Sequence, residues 1–233
     1  DPTPEEYAVY DTNLAWDSGW LTDTNMDFVY PADSYDVYFG TNFDDVNDAT
    51  PGSVPSGVEY ANNVTVSYYD PNGGNGLTPG GIYYWRVDSE FGSDRYKGET
   101  WKLKIIPLTA YNPSPSDGET GVESADVLKW APGSNLGTPP VSHDVFYGKN
   151  ATDVNNATPA SVPAGVTYVN VGPNTLDPAG FLSPSAVYYW RIDEVYSGGQ
   201  TEKGEIWSFK VSDFFVLEDF ESYASENDLR TAW

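Results

Sequence analysis

From Ser34 to Tyr60 the chain reads SYDVYFGTNFDDVNDATPGSVPSGVEY, and from Ser142 to Tyr168 it reads SHDVFYGKNATDVNNATPASVPAGVTY. The two stretches lie 108 residues apart, align without a gap, and agree at 17 of 27 positions. Moving outward, Leu77-Thr78-Pro79 leads to Tyr83-Tyr84-Trp85-Arg86-Val87-Asp88. Leu182-Ser183-Pro184 leads in the same way to Tyr188-Tyr189-Trp190-Arg191-Ile192-Asp193. Further on, Lys97-Gly98-Glu99-Thr100-Trp101 is answered by Lys203-Gly204-Glu205-Ile206-Trp207. Repetition at this period means two copies of one small domain. The expected boundaries are 1–107 and 108–212, with 213–233 left as a C-terminal extension. A duplicated core defines no site by itself, so spacers, adhesins and polymer subunits lead the function classes.

The repeated segments alternate with period two. Tyr35, Val37 and Phe39 oppose Asp36 and Tyr38, and His143, Val145 and Tyr147 oppose Asp144 and Phe146. Tyr83, Trp85 and Val87 share one face of the next run, which leaves Tyr84, Arg86 and Asp88 on the other. Terminal strands are expected at Trp101–Ile105 and Trp207–Val211. Gly and Pro together number 40, which suits many turns and argues against long helices. The aromatic content of 15% supplies core mass that packs well on pleated sheets. The expected class is all-β: two antiparallel sandwiches of about 100 residues each, in tandem.

The Leu-x-Pro-x-x-x-Tyr spacing carries a mechanism. A Tyr opening a strand can turn its hydroxyl back to the upstream backbone and lock the crossing between two sheets. Leu77, Pro79 and Tyr83 meet the spacing, and Leu182, Pro184 and Tyr188 meet it again. Here the chain resembles the fibronectin type III and immunoglobulin-like families, whose tyrosine corner has this pattern. More narrowly, YDVYFGT, YYWRIDEV and the closing DFESY resemble tandem modules in large secreted proteins of aquatic environmental bacteria. The resemblance spans nearly the whole chain. It implies fold and secretion, and an accessory rather than a catalytic part.

The formal net charge is −24, spread evenly, with 18 acidic residues in 1–107 and 17 in 108–233. Nucleic acid is not an expected partner, since backbone binding needs clustered Lys and Arg. The acidity fits a solvated surface, with divalent-cation binding as the sharper alternative. No cysteine is present, so disulfides and thiolate metal sites are excluded. No apolar run is long enough for a membrane span. Opening at Asp1 without an apolar leader, the chain reads as the processed form of a secreted protein, extracellular or at the cell surface.

Catalysis finds little purchase. The single histidine, His143, stands where the first copy has Tyr35, which makes it a packing residue. No cysteine nucleophile exists, and no carboxylate pair is set apart as acid and nucleophile. A calcium reading centres on Asp44-Asp45-Val46-Asn47-Asp48, which becomes Thr152-Asp153-Val154-Asn155-Asn156 in the second copy. A calcium loop wants five or more oxygens and a closing bidentate Glu, and Asx turns explain the retained residues more cheaply. No cofactor is assigned. Tyr84, Tyr189, Trp20 and Tyr69 are candidate sugar-stacking platforms, whereas alternation puts Trp85 and Trp190 in the core. Asn63, Asn150 and Asn156 head Asn-x-Thr sequons and are candidate acceptors for covalent glycans. Arg86 and Arg191 are read as facing outward, and no function is assigned to them.

The two copies differ at their starts. The second opens with Asn112–Val122, a full first strand, while the first has only Asp1–Val9, carrying Pro2 and Pro4. At the other end, Phe214, Phe215, Val216, Leu217, Phe220 and Tyr223 form an apolar strand candidate with no place in the second sandwich. An exposed apolar strand and an incomplete sheet edge tend to find each other. At opposite ends of one chain they pair head to tail and give an open filament of identical subunits. The alternative is a spacer in a larger secreted carbohydrate-binding or adhesive protein, with 213–233 opening a third domain. A calcium-dependent adhesin is a third reading.

Overall fold

In the computed structural model the residues described are 7–22, 29–123, 126–178 and 182–213. The chain divides into two compact units. The first comprises Asp1–Leu108 with Gly133–Pro139, and the second Thr109–Pro132 with Pro140–Trp233. The segment 133–139 therefore belongs with the first unit, where the Ser134 N–H donates to the Pro107 carbonyl at 2.8 Å.

The first unit contains β1 (Tyr7–Ala8), β2 (Leu14–Ala15), β3 (Trp20–Thr22), β4 (Val29–Pro31) and β5 (Ser34–Gly40). After helix α1 (Phe43–Asp48) come β6 (Val58–Val64), β7 (Tyr68–Tyr69), β8 (Ile82–Phe91), β9 (Asp94–Tyr96) and β10 (Thr100–Ile105). The large sheet runs β1-β10-β8-β5-β6, with β9 paired to β8. Facing it, β2 pairs with β7, while β3 and β4 form a separate hairpin. All pairings are antiparallel except β1, which joins β10 in parallel through Tyr7↔Lys104 and Ala8↔Ile105.

The second unit has β11 (Tyr111–Ser114), β12 (Glu119–Val122), β13 (Leu128–Ala131), β14 (Ser142–Gly148) and α2 (Ala151–Asn156). There follow β15 (Val166–Val171), β16 (Thr175–Leu176), β17 (Val187–Val195), β18 (Thr201–Glu202) and β19 (Ile206–Val211). Its large sheet, β12-β19-β17-β14-β15, repeats the first unit's order, with β18 in the place of β9. The facing sheet has three strands, β11-β13-β16. The expected single first strand is in fact two. Tyr111–Ser114 pairs antiparallel with β13, and beyond the cis Ser114–Pro115 bond Glu119–Val122 pairs parallel with β19.

Alternation distributes side chains as the pattern requires, since successive strand residues point to opposite faces. Phe39, Trp85 and Ile105 meet Leu14 and Leu77 between the sheets of the first unit. Val145, Tyr147, Trp190, Ile192, Trp207 and Phe209 meet Leu128 and Trp130 in the second. The opposite face of each large sheet is also covered, by a short helix that strand alternation does not predict. Helix α1 lays Val46 and Ala49 on Tyr38, with Val58, Tyr60 and Tyr84 around them. Helix α2 does the same with Val154 and Ala157 on Phe146. Among the described residues no helix is long and apolar enough to cross a membrane.

Candidate functional site

The 27-residue repeat builds a wrap over the outer face of the large sheet. Asn42 starts α1 by accepting the Asp45 N–H at 3.1 Å, and Asn150 starts α2 by accepting from Thr152 and Asp153 at 2.9 and 3.2 Å. After each helix the Ala-Thr-Pro run closes on itself. Thr50 and Ser53 exchange backbone hydrogen bonds, as do Thr158 and Ser161. Gly57 and Gly165, at φ of 93° and 87°, then turn the chain into the next strand.

Beneath the wrap lies the arginine that follows each core tryptophan. Arg86 is 1% exposed rather than outward-facing, because α1 and its following turn roof that face of the sheet. Its Nε donates to Asp88 Oδ1 at 2.8 Å and Nη2 to Asp88 Oδ2 at 3.1 Å. Nη1 donates to the Val46 carbonyl at 2.7 Å and to that of Asn47, and Nη2 to Ala49 at 2.7 Å. Arg191 repeats this on Asp193, Val154, Asn155 and Ala157 at 2.6–2.9 Å. Each guanidinium satisfies the last carbonyls of a short helix and stacks on the ring below, Tyr38 at 4.2 Å and Phe146 at 4.6 Å. Arg95 adds an ion pair to the buried Asp36 at 2.8 Å in the first unit. Burial first, then the nearby Asp88 and Asp36 carboxylates, push the Tyr38 hydroxyl up to about 12. Tyr60 and Tyr168 are raised as well, by burial and then by donating to Asp36 and Asp144.

A further pair is confined to the second unit. His143 and Glu194 face each other across β14 and β17, at 4% and 0% exposure, and His143 Nδ1 contacts the Glu194 carboxylate. His143 also packs edge-to-face on Trp130 at 5.2 Å. The first unit has Tyr35 opposite Ser89 at the same register, with Tyr35 edge-on to Trp16 at 5.3 Å.

The candidate site residues fall as follows. The Thr78 N–H donates to the Tyr83 hydroxyl at 3.0 Å, and the Ser183 N–H to that of Tyr188 at 3.1 Å. Leu77 and Leu182 are buried, while Pro79 and Pro184 are not. Asn63, Asn150 and Asn156 are exposed; Asn63 holds φ of 53° near the end of β6. The Asp44–Asp48 run winds onto α1, which directs its side chains around a helix axis instead of toward one point. Among the described residues no group of three or more metal-ligating side chains forms. Tyr84 and Tyr189 are half-buried members of the wrap clusters, and Tyr69 donates its hydroxyl to Glu59. The side chain of Trp20 lies outside the described set, as do Phe214, Phe215, Val216, Leu217, Phe220 and Tyr223.

The units differ most at one edge. In the second, β13 lies between β11 and β16. In the first, β2 pairs with β7 alone among the described residues. On β10, Trp101 is 47% exposed while its counterpart Trp207 is 8% exposed. Ala110 and Pro115, which flank β11, are buried in the second unit. In the first unit Trp16, Trp85, Val87 and Trp101 line an open groove of about 240 Å³, with Asp17 and Glu99 on its rim. Trp16 Nε1 is a buried donor with no acceptor among the described residues.

No family model and no curated protein matches the chain. Among solved structures it is similar to a two-domain fibronectin type III segment of chicken tenascin, at 17% identity and a TM-score of 0.30. That match covers 91% of this chain and 98% of the other. It is also similar to the FN1–FN3 domains of chicken CNTN1, at 12% identity and a TM-score of 0.28, covering 91% and 66%. At these TM-scores the likeness adds nothing to what the sheets themselves define: two all-β sandwiches in tandem.

Proposed function

We propose that this chain is a non-enzymatic extracellular structural protein, the subunit of a filament assembled head to tail by strand donation. The supporting observation is the asymmetry of two otherwise matching units, one with a three-stranded facing sheet and the other with β2 paired to β7 alone among the described residues. The repeated polar groups also favour a structural reading, because Arg86 and Arg191 are wholly engaged in holding the fold. The donor is the segment 214–223 of a neighbouring subunit. Fully burying an apolar side chain contributes about 1.5–3 kcal/mol, so five or six of them hold a subunit firmly after ordering costs. The exposed Asn63, Asn150 and Asn156 are the candidate acceptors for covalent glycans, since the cap at Asn150 uses Oδ1 and a glycan attaches to Nδ2.

Electron microscopy of the intact chain beside a chain lacking 213–233 tests this. Regular fibres from the intact chain, lost on deletion while both sandwiches still melt cooperatively, support the reading. Fibres that survive the deletion exclude it. Dispersed particles in both samples leave a spacer module as the function.

A further inference from the structure

In the second unit β11 occupies the edge of β13, and the matching edge of β2 carries no strand among the described residues. Strand β11 lies antiparallel on β13, with Tyr111 opposite Ala131 and Ser114 opposite Lys129. Burial along it alternates, with Tyr111, Pro113 and Pro115 covered more than Asn112 and Ser114. Aligned on the shared Leu-x-Trp, Lys129 corresponds to Ala15 and Ala131 to Asp17. The inner side chains of β10 are Trp101, Leu103 and Ile105, and Trp101 is the exposed one of the three, at 47%.

We propose that the groove lined by Trp16, Asp17, Trp85, Val87 and Trp101 in the first unit is the acceptor, and that residues 214–220 of a second copy occupy it. The proposal rests on the strand-donation reading and assigns its receiving site. The incoming strand runs antiparallel to Leu14–Ala15, as β11 runs on β13. One set of its alternate side chains covers Trp16, Trp85 and Trp101. One of its carbonyls supplies the acceptor that Trp16 Nε1 lacks. In the sequence Phe214-Phe215-Val216-Leu217 both alternations are apolar, and one of the two faces the tryptophans. The occupant is a second copy because this chain itself carries an apolar stretch, Phe214-Phe215-Val216-Leu217, that matches the aromatic lining of Trp16, Trp85 and Trp101.

The chain has no cysteine, so single cysteines report contacts without background. Full-length Ala15→Cys is mixed, under mild oxidation, with isotope-labelled full-length chains carrying one cysteine at each position from 214 to 220 in turn. Disulfide-linked heterodimers should form with a period-two pattern along the tail. Lys129→Cys, whose edge β11 already occupies, should form at least ten-fold fewer. In parallel, Trp101→Lys should raise the concentration needed for fibres at least ten-fold while leaving the melting profile intact. Equal linkage at Ala15 and Lys129, or linkage without periodicity, overturns the acceptor assignment. Fibres that depend on 213–233 yet ignore Trp101→Lys and give no Ala15 linkage place the donated strand elsewhere, so the acceptor falls and donation stands. An intact chain that never forms fibres removes both.

Discussion

A methyl group on Gly204 would stand 2.1 Å from the Ile192 carbonyl oxygen, and one on Gly98 would stand 2.0 Å from that of Val87. Both glycines also donate N–H to the buried aspartate, Asp193 or Asp88, at 3.1 Å, so neither segment can move away cheaply. Gly204→Ala should therefore destabilise the second unit by about 1–3 kcal/mol, the usual range for overpacking. Gly52→Ala should be neutral in the same urea titration: nothing lies within 4 Å of the added carbon, and the other copy already has Ala160 there. His143 and Glu194 supply a second residue-scale test. Glu194→Ser removes the carboxylate that His143 contacts, and His143→Tyr removes the imidazole from Glu194. The double variant recreates the Tyr35–Ser89 pair of the first unit. A double-mutant cycle should return a coupling of about 0.5–3 kcal/mol, and strict additivity would show that the pair has no mutual role.

Helices α1 and α2 have six residues each, too short to persist alone, and are held by an arginine from the sheet. Replacing Arg191 by Met leaves Asp193 buried without a counter-charge and frees the helix carbonyls. The second unit should lose about 3–5 kcal/mol, seen as one urea transition moving while the other stays. The wrap also gives an alkaline limit. Tyr38 is raised to about 12 in the fold, from about 10 in an unfolded chain, so its contribution is fully present below pH 10. That contribution disappears as the pH rises through 12. Melting temperatures should hold level to about pH 9 and drop between 10 and 12, with tyrosinate absorbance rising alongside; a flat profile to pH 12 would contradict this. The sandwich strands could be read from period-two alternation and repetition. The wrap could not, because a buried Arg and a surface Arg look the same in an alternating strand. The missed clue was identity at paired positions: Asn42, Val46, Arg86, Asp88 and Gly98 all recur at their counterparts. Residues 112–122, read as one opening strand, likewise belong to two strands in different sheets, with Ser114–Pro115 between them.

For the whole molecule, the even charge of −24 acts against self-assembly. Groove and tail share its sign: Asp17 and Glu99 line the rim, while Glu218, Asp219 and Glu221 lie in the donor sequence. Screening shortens from about 30 Å at 0.01 M salt to about 10 Å at 0.1 M, so added salt should lower the critical concentration for fibres. Light scattering across that range checks it, and assembly that weakens with salt would point to attractive ion pairs at the contact. The difference at β2, which pairs with β7 alone among the described residues, does not show in the Leu-x-Trp motif that both copies share. The exposed Trp101 and the groove beside it stand out only when the two units are compared side by side. The most direct test is a cryo-electron microscopy map of the fibre at a resolution that separates strands. The account predicts continuous density beside Leu14–Ala15, antiparallel to β2, that traces back to the 213–220 segment of the adjacent subunit. An empty groove, or subunits joined through any other surface, would contradict it.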